Sequence, residues 1–490
     1  MKSKTKLQSK TKERRKTGKQ STLVKTAAAA LSAVLLSAAL LAGCGSGSGN
    51  GGNTGNMGNT DDPGNSGNGS QSATAKYQAL MVNEAAHAMP AGGGITADEW
   101  AGSDERWAWQ KEREELIASG ESVQDTLYPF YKKTVAAFLE DDGQSNSVYS
   151  PVNVYVALSM LAECAGGESR RQILDLLGTD DLGKLRETVN AVWLANEAET
   201  PIVTTSLANS IWMDQAVDFN EEVTKTLADS YHASSFSGEL ADAETNAALR
   251  EWINDNTGGL LKSQTNDVEM TDDTMIALAS TLYLKAAWGQ AFDPDSTSKG
   301  TFYGADGGQS VDMMHQTLDG SVYYGSGFKA LAMEMEDCGS MFIFLPDEGI
   351  TAGSLTSNED VYQILRDRDG WRSAESGDVK LTLPKFDVSS SMQLIEKLEA
   401  LGVTDIFGGS ADISPLSPEA GGYVSDILHA ARVKADEEGV EAAAFTVSMV
   451  HTTALVEPQI IDFTVDRPFM FVMVGEDGTF LFTGIVNRPQ

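Results

Sequence analysis

Few residue types carry chemistry, and their spacing decides what they can do. Five histidines occur, His87, His232, His315, His429 and His451, and none falls in the His-Glu-x-x-His or Cys-x-x-Cys arrangements that hold metals. The chain has no Gly-x-Ser-x-Gly elbow to present a nucleophilic serine and no Gly-rich phosphate cradle ending in Lys-Ser/Thr. Acidic residues number 70, too many for spacing alone to single out a catalytic pair. These residues spell out neither an enzyme nor a cofactor site.

The segment from Glu437 to Leu455 is unusual in another way. It holds no Pro, opens with a Gly pivot at Gly439 and is followed by Pro458. As a strand it would turn Val440, Ala442, Ala444, Thr446 and Ser448 to one face, all modest in size, and Glu441 and Ala443 to the other. A strand so built could slide between two existing strands. A plain Ala-rich helix or a buried strand is the alternative that composition alone leaves open.

Such a segment needs a scaffold, and the flanking chain supplies mixed elements. Helical spacing runs over Val123–Leu139 and over Pro151–Glu163, the second with Pro in its first turn, where the missing N–H costs nothing. Ser169–Leu177 is a further helix, stopped by Gly178. Period-two alternation at Val379–Leu383 and a continuous apolar run at Met341–Pro346 predict strands. Phe469–Val474 and Thr479–Val486 flank the turn Glu476-Asp477-Gly478 as a hairpin. Helices in the first half and sheets in the second predict an α+β fold. Residues 76–120, with Asp104–Trp109 leading into Lys111–Leu116, predict one N-terminal helix whose tryptophans pack on the main domain or face a partner.

The chain is 490 residues long with a formal net charge of −34, unevenly placed. Residues 1–43 carry ten Lys/Arg and one Glu, a local +9, so that the remainder holds −43. A polyanion gains nothing by releasing counterions from phosphates, which argues against nucleic acid as a partner. Behind the basic head, Ala27–Leu41 is apolar but too short for a stable membrane span. It ends in Leu41-Ala42-Gly43-Cys44, which resembles the lipobox of bacterial lipoproteins, with Cys44 the residue that acyl chains would modify. Residues 1–43 are then a signal peptide. Residues 44–75 are a Gly/Asn/Ser-rich tether with a reach of roughly 30 Å, and the compartment is extracytoplasmic, at a membrane surface or secreted. Cys164 and Cys338 lie in apolar surroundings and are expected as two buried free thiols ahead of a single bridge.

From about Glu121 to the end, a series of ordered motifs resembles the serpin family. Ser147-Val148-Tyr149-Ser150-Pro151-Val152-Asn153 with Ala157–Leu161 comes first. Trp252-Ile253-Asn254 with Thr257-Gly258-Gly259, and Leu282-Tyr283-Leu284-Lys285 with Trp288 and Phe292, occupy the middle. Val311–Met314, Leu383-Pro384-Lys385-Phe386, Leu401–Phe407 and His429 precede the hinge, and Arg467-Pro468-Phe469 with Leu481–Gly484 follow it. The resemblance implies one domain over 121–490, with three β-sheets, about nine helices and an exposed reactive-centre loop over roughly Gly439–Pro458. It implies a monomeric suicide-substrate inhibitor, not an enzyme: a target serine protease, or a cysteine one, attacks the loop, and the cleaved loop enters the central sheet and carries the acyl-enzyme with it. Glu437, Gly439, Glu441 and Ala442, Ala443 and Ala444 match the inhibitory hinge, while Val440 stands where the family usually has Thr. Counting from the hinge puts the scissile bond at Thr453-Ala454, and these small uncharged residues point to elastase-like or subtilisin-like targets with a shallow apolar primary pocket. Ser150 and His429 keep the family types in the network that controls sheet opening. Asn153 and Ser280 look exchanged there, with their mutual hydrogen bond expected to survive. A non-inhibitory binding lipoprotein of the same fold is the alternative.

Overall fold

The computed structural model describes residues 76–85, 90–419, 421–425, 427–440 and 459–489, and those from Lys76 onward belong to one compact unit. Its α-helices are α1 Ala97–Ala101, α2 Asp104–Glu121, α3 Gln124–Phe138, α4 Pro151–Cys164, α5 Gly167–Leu177, α6 Leu182–Asn196, α7 Glu221–Tyr231, α8 Ala243–Asp255, α9 Glu359–Arg366 and α10 Ile395–Ala400. The sequence signals for α3, α4 and α5 hold to within a residue or two. Ser150 caps α4, its Oγ accepting from the Asn153 N–H at 3.3 Å, and Pro151 opens the first turn. Gly178 ends α5 in the left-handed conformation, φ 80°.

The central sheet is built from β1 Met81–Asn83, β2 Ala198–Glu199, β3 Val203–Asp214, β4 Ala233–Gly238, β5 Ile276–Ala287, β6 Phe386–Gln393, β7 Leu428–Ala435 and β8 Gly439–Val440. Their order across the sheet is β1-β4-β3-β5-β8-β7-β6, with β2 paired to β3. β3 and β5 are antiparallel along their full length, from Val203↔Ala286 to Met213↔Ile276. The other two expected sheets are joined in one hydrogen-bonded network by the 19-residue strand Gly307–Gly325. That network contains Ala374–Pro384, which includes the anticipated Val379–Leu383, Gly339–Pro346, which includes the anticipated Met341–Pro346, and the anticipated C-terminal hairpin as Phe469–Gly475 with Phe480–Val486.

α4 is buried on nearly every side, as a helix apolar all round must be. On one face of the central sheet Leu282, Leu284 and Ala286 of β5 join the main core with residues of α4. On the other, Ala277 and Ala279 pack against a smaller cluster with Trp212, Trp252 and Leu249. Cys164 and Cys338 are free and buried, and burial pushes both thiols up to about 12.

Residues 76–120 are not one helix. Lys76–Leu80 is a 3-10 turn, β1 joins the edge of the central sheet beside β4, and the long helix is α2 alone. The glycines at 92–94 break helical continuity, and Gly92 and Gly94 take positive φ.

Candidate functional site

The central sheet is parted. β5 is hydrogen-bonded to β3 along one edge, but among the described residues its other edge carries ladder pairs only at Gly439↔Ala287 and Val440↔Ala286. β7 is paired with β6 from Phe386↔Ala435 to Gln393↔Leu428, and among the described residues its facing edge carries only Ala435↔Val440. The two-residue β8 thus sits at the mouth of a slot whose walls are two strand edges, and unpaired edges are templates for a further strand.

The seat of β8 is specific. A Cβ on Gly439 would lie 2.1 Å from the Ala286 carbonyl oxygen, so only glycine permits this approach of the two strands. The turn before it is held from outside: the Trp288 N–H donates to the Glu438 carbonyl (3.0 Å), the Trp288 indole N–H to the Asp436 carbonyl (2.9 Å), and the Phe292 N–H to the Glu437 carbonyl (2.8 Å). The Glu437 carboxylate accepts from Lys385 Nζ at 2.6 Å and Thr297 Oγ1 at 2.9 Å. Burial alone would raise its pKa, but these bonds and a backbone N–H hold it below the ordinary carboxylate range. Lys385, Thr297 and Trp288 were not picked out for this role from sequence. A lone Lys at the junction of two apolar strands was the signal available.

Deeper in the slot, His429 on β7 accepts at Nε2 from the Ser150 N–H (3.0 Å), which places its proton on Nδ1. The ring is buried, and burial lowers its pKa to about 4, so it is neutral. Tyr149 meets it edge-on with centroids 6.1 Å apart, and the Tyr149 hydroxyl donates to Thr134. Ser150, Asn153, Ser280 and His429 are thus gathered around one end of α4 and the two slot strands, but the hydrogen bond expected between Asn153 and Ser280 does not form. Asn153 Oδ1 and Ser280 Oγ are both buried without a partner. Both line a cavity that lies between α4, α8 and the separated strands. Glu441, Ala442, Ala443, Ala444, Thr453, Ala454 and Cys44 lie outside the described residues.

The sequence profile "Serpin (serine protease inhibitor)" matches residues 129–489. The chain belongs to the serpin family. Among its relatives, Serpin-Z2B of Triticum aestivum is 30% identical over 367 residues, covering 70% of this chain and 90% of that protein. Iris of Ixodes ricinus is 30% identical over 354 residues, 71% of this chain and 93% of its own. The solved native state of the thermophilic serpin tengpin superposes with a TM-score of 0.65 at 22% identity, over 83% of this serpin and 97% of tengpin. Arabidopsis AtSerpin1 in its native stressed conformation gives 0.63 at 26%, over 76% and 98%. Serpins in general are protease inhibitors rather than enzymes. The three-sheet α+β fold expected from the motifs is the fold found.

Proposed function

We propose that this serpin is a suicide-substrate inhibitor of serine endopeptidases with shallow apolar primary pockets, acting by entry of its cleaved loop into the parted central sheet. The observation that carries the reading is the slot with Gly439 and Val440 already in register at its mouth. Continuing the same register would set Ala442 against Leu284 and Val433, Ala444 against Leu282 and Ala431, and Thr446 between Ser280 and His429. Val440 and its partners Ala286 and Ala435 face the main core, so Ala442, Ala444 and Thr446 would follow it there, and their small size suits a packed interior. Glu441, Ala443 and Phe445 would take the opposite face. Val440 itself is buried at the seat, and its β-branched side chain is at home in a sheet.

In this mechanism the protease supplies the chemistry. Its nucleophile attacks the carbonyl of Thr453, the bond to Ala454 breaks, and the acyl-enzyme forms before water can release it. Insertion then pairs the two bare edges and fills the slot, and that gain in hydrogen bonding and burial drags the protease away with its acyl bond intact. Cleavage before Cys44 and acylation there would hold the inhibitor at an extracytoplasmic membrane surface.

Incubation with pancreatic elastase or subtilisin, followed by a denaturing gel, tests the reading. A covalent complex stable in SDS and cleavage mapped to Thr453-Ala454 are expected. Clean cleavage with no complex and no gain in thermal stability would replace it with a non-inhibitory binding lipoprotein.

A further inference from the structure

Between α4, α8 and the separated strands β5 and β7 lies a cavity of about 170 Å³. Cavities of about 150 Å³ lined by Leu, Ile and Phe bind benzene, so this one has room for a small aromatic body. Its wall is mostly aliphatic, with Leu158 and Leu161 from α4, Ile253 from α8, Leu278 from β5, and Leu394 and Leu398 around α10. Polar groups interrupt that wall, among them Gln264, Thr265, Glu269, Thr274 and His429, and two further polar atoms in it are buried without a partner. Asn153, only 3% exposed, presents Oδ1 without a partner, and Ser280 presents Oγ likewise.

Burying polar atoms unbonded is costly, and the two atoms define what would relieve the cost. Asn153 Oδ1 can only accept, so the complement must donate. Ser280 Oγ can take either role. A carboxylate would be turned away, since it would lose its hydration in an aliphatic wall, find an acceptor at Asn153 and share the cavity with Glu269. We propose that the cavity is a binding site for a small neutral molecule with an aromatic or compact aliphatic body and one hydrogen-bond donor, of the phenol, indole or alcohol class, and that its occupant and the inserting loop exclude one another. The exclusion rests on the inhibitory reading above: Ile276 to Thr281 of β5 and His429 and Ala430 of β7 border the cavity, and the loop would have to run between those same residues.

Isosteric probes test this on the full chain. p-Cresol and p-xylene share a shape, but only p-cresol can donate. Calorimetric titration should give saturable one-to-one binding of p-cresol, at least fivefold tighter than p-xylene although p-xylene is the more hydrophobic. Asn153→Leu should weaken p-cresol at least tenfold and leave p-xylene no weaker. Ala157→Leu, which fills the cavity from α4, should abolish both. Absence of saturable p-cresol binding, equal affinities for the two probes, or undiminished binding to Ala157→Leu would each overturn the site, and none of the three needs an Asn153 variant to fold. At saturation p-cresol should slow formation of the elastase complex at least fivefold in the native sequence and not in Ala157→Leu. An unchanged rate would overturn the exclusion. Binding is read without protease, so if no complex forms even without probe, the inhibitory reading and the exclusion fall together while the ligand site is judged by titration.

Discussion

At the scale of single residues the slot is governed by what is buried and what it is bonded to. His429 is the clearest case, because its ring accepts from the Ser150 N–H and can do so only while neutral. In the unfolded chain the imidazole titrates near 6.5, whereas burial lowers it to about 4 in the native protein. Between those values the unfolded chain binds a proton that the native state refuses, so native stability falls as pH drops through the window. The contribution is whole above about pH 6.5 and, at roughly 1.4 kcal/mol per unit, some 3 kcal/mol of it is gone by pH 4. Denaturant midpoints of the native protein and of His429→Gln, followed from pH 8 to pH 4, should therefore converge as pH falls. A difference that stays constant would show that His429 is not titrating out of its bond. The sequence named His429, Ser150, Asn153 and Ser280 together, and the fold gathers them. It could not show that Asn153 and Ser280 fail to bond, because that depends on space left between a helix and a strand more than a hundred residues apart.

At the scale of elements, the decisive feature is the strand end that borders the mouth of the slot. Ala287 closes β5, pairs with Gly439, and has its carbonyl bonded by the Glu336 N–H at 2.9 Å. The segment before the serpin match grips this same corner. Trp100 is wholly buried against Ile202 and Ala287. Arg106 on α2 reaches Glu336 at 2.6 Å and Asp337 at 2.9 Å, and Gln110 bonds Asp337 at 2.6 Å, which pins Asp337 in the left-handed region at φ 54°. Arg113 runs under Trp109 to the carbonyls of Ala195 and Glu197. The extension is therefore a brace on β5, the strand that borders the proposed insertion slot. Trp100→Ala should cost about 3–5 kcal/mol, as large-to-small changes in a core do, and should speed spontaneous loss of complex-forming activity on warming severalfold. Trp107→Ala, at a residue 70% exposed, should change stability by no more than about 0.5 kcal/mol. Equal behaviour of the two variants would remove the brace. Helices with strong local signals, such as α4 with its Ser-Pro start and α5 with its Gly stop, were legible from sequence. β1 was not: three residues paired across more than 150 positions leave no periodic trace. Nor was the parting of β5 from β7, since a strand's own residues do not say which of its edges is filled.

At the scale of the whole molecule, charge and placement act on different distances. If the proposed lipid anchor at Cys44 holds a body of −43 near anionic lipid, the body would be repelled on touching the surface, but a Gly/Asn/Ser-rich coil of the length of residues 44–75 would reach roughly 30 Å, several times the Debye length of about 8 Å at physiological salt. Repulsion from the membrane would then be screened, while an approaching cationic protease would meet the body's field within its last few ångströms. The field should act on encounter rather than on insertion, because insertion is driven by strand pairing and burial, which salt hardly weakens. The rate constant for complex formation with a cationic elastase-type protease should accordingly fall roughly tenfold between low salt and 1 M, where the Debye length shrinks to about 3 Å. The yield of complex per cleavage event should hold constant. An anionic protease of the same primary specificity should show the reverse salt trend. A rate indifferent to salt with both enzymes would leave the charge serving solubility alone, and a yield that fell with salt would place electrostatics in the insertion step, against the slot as its driving element.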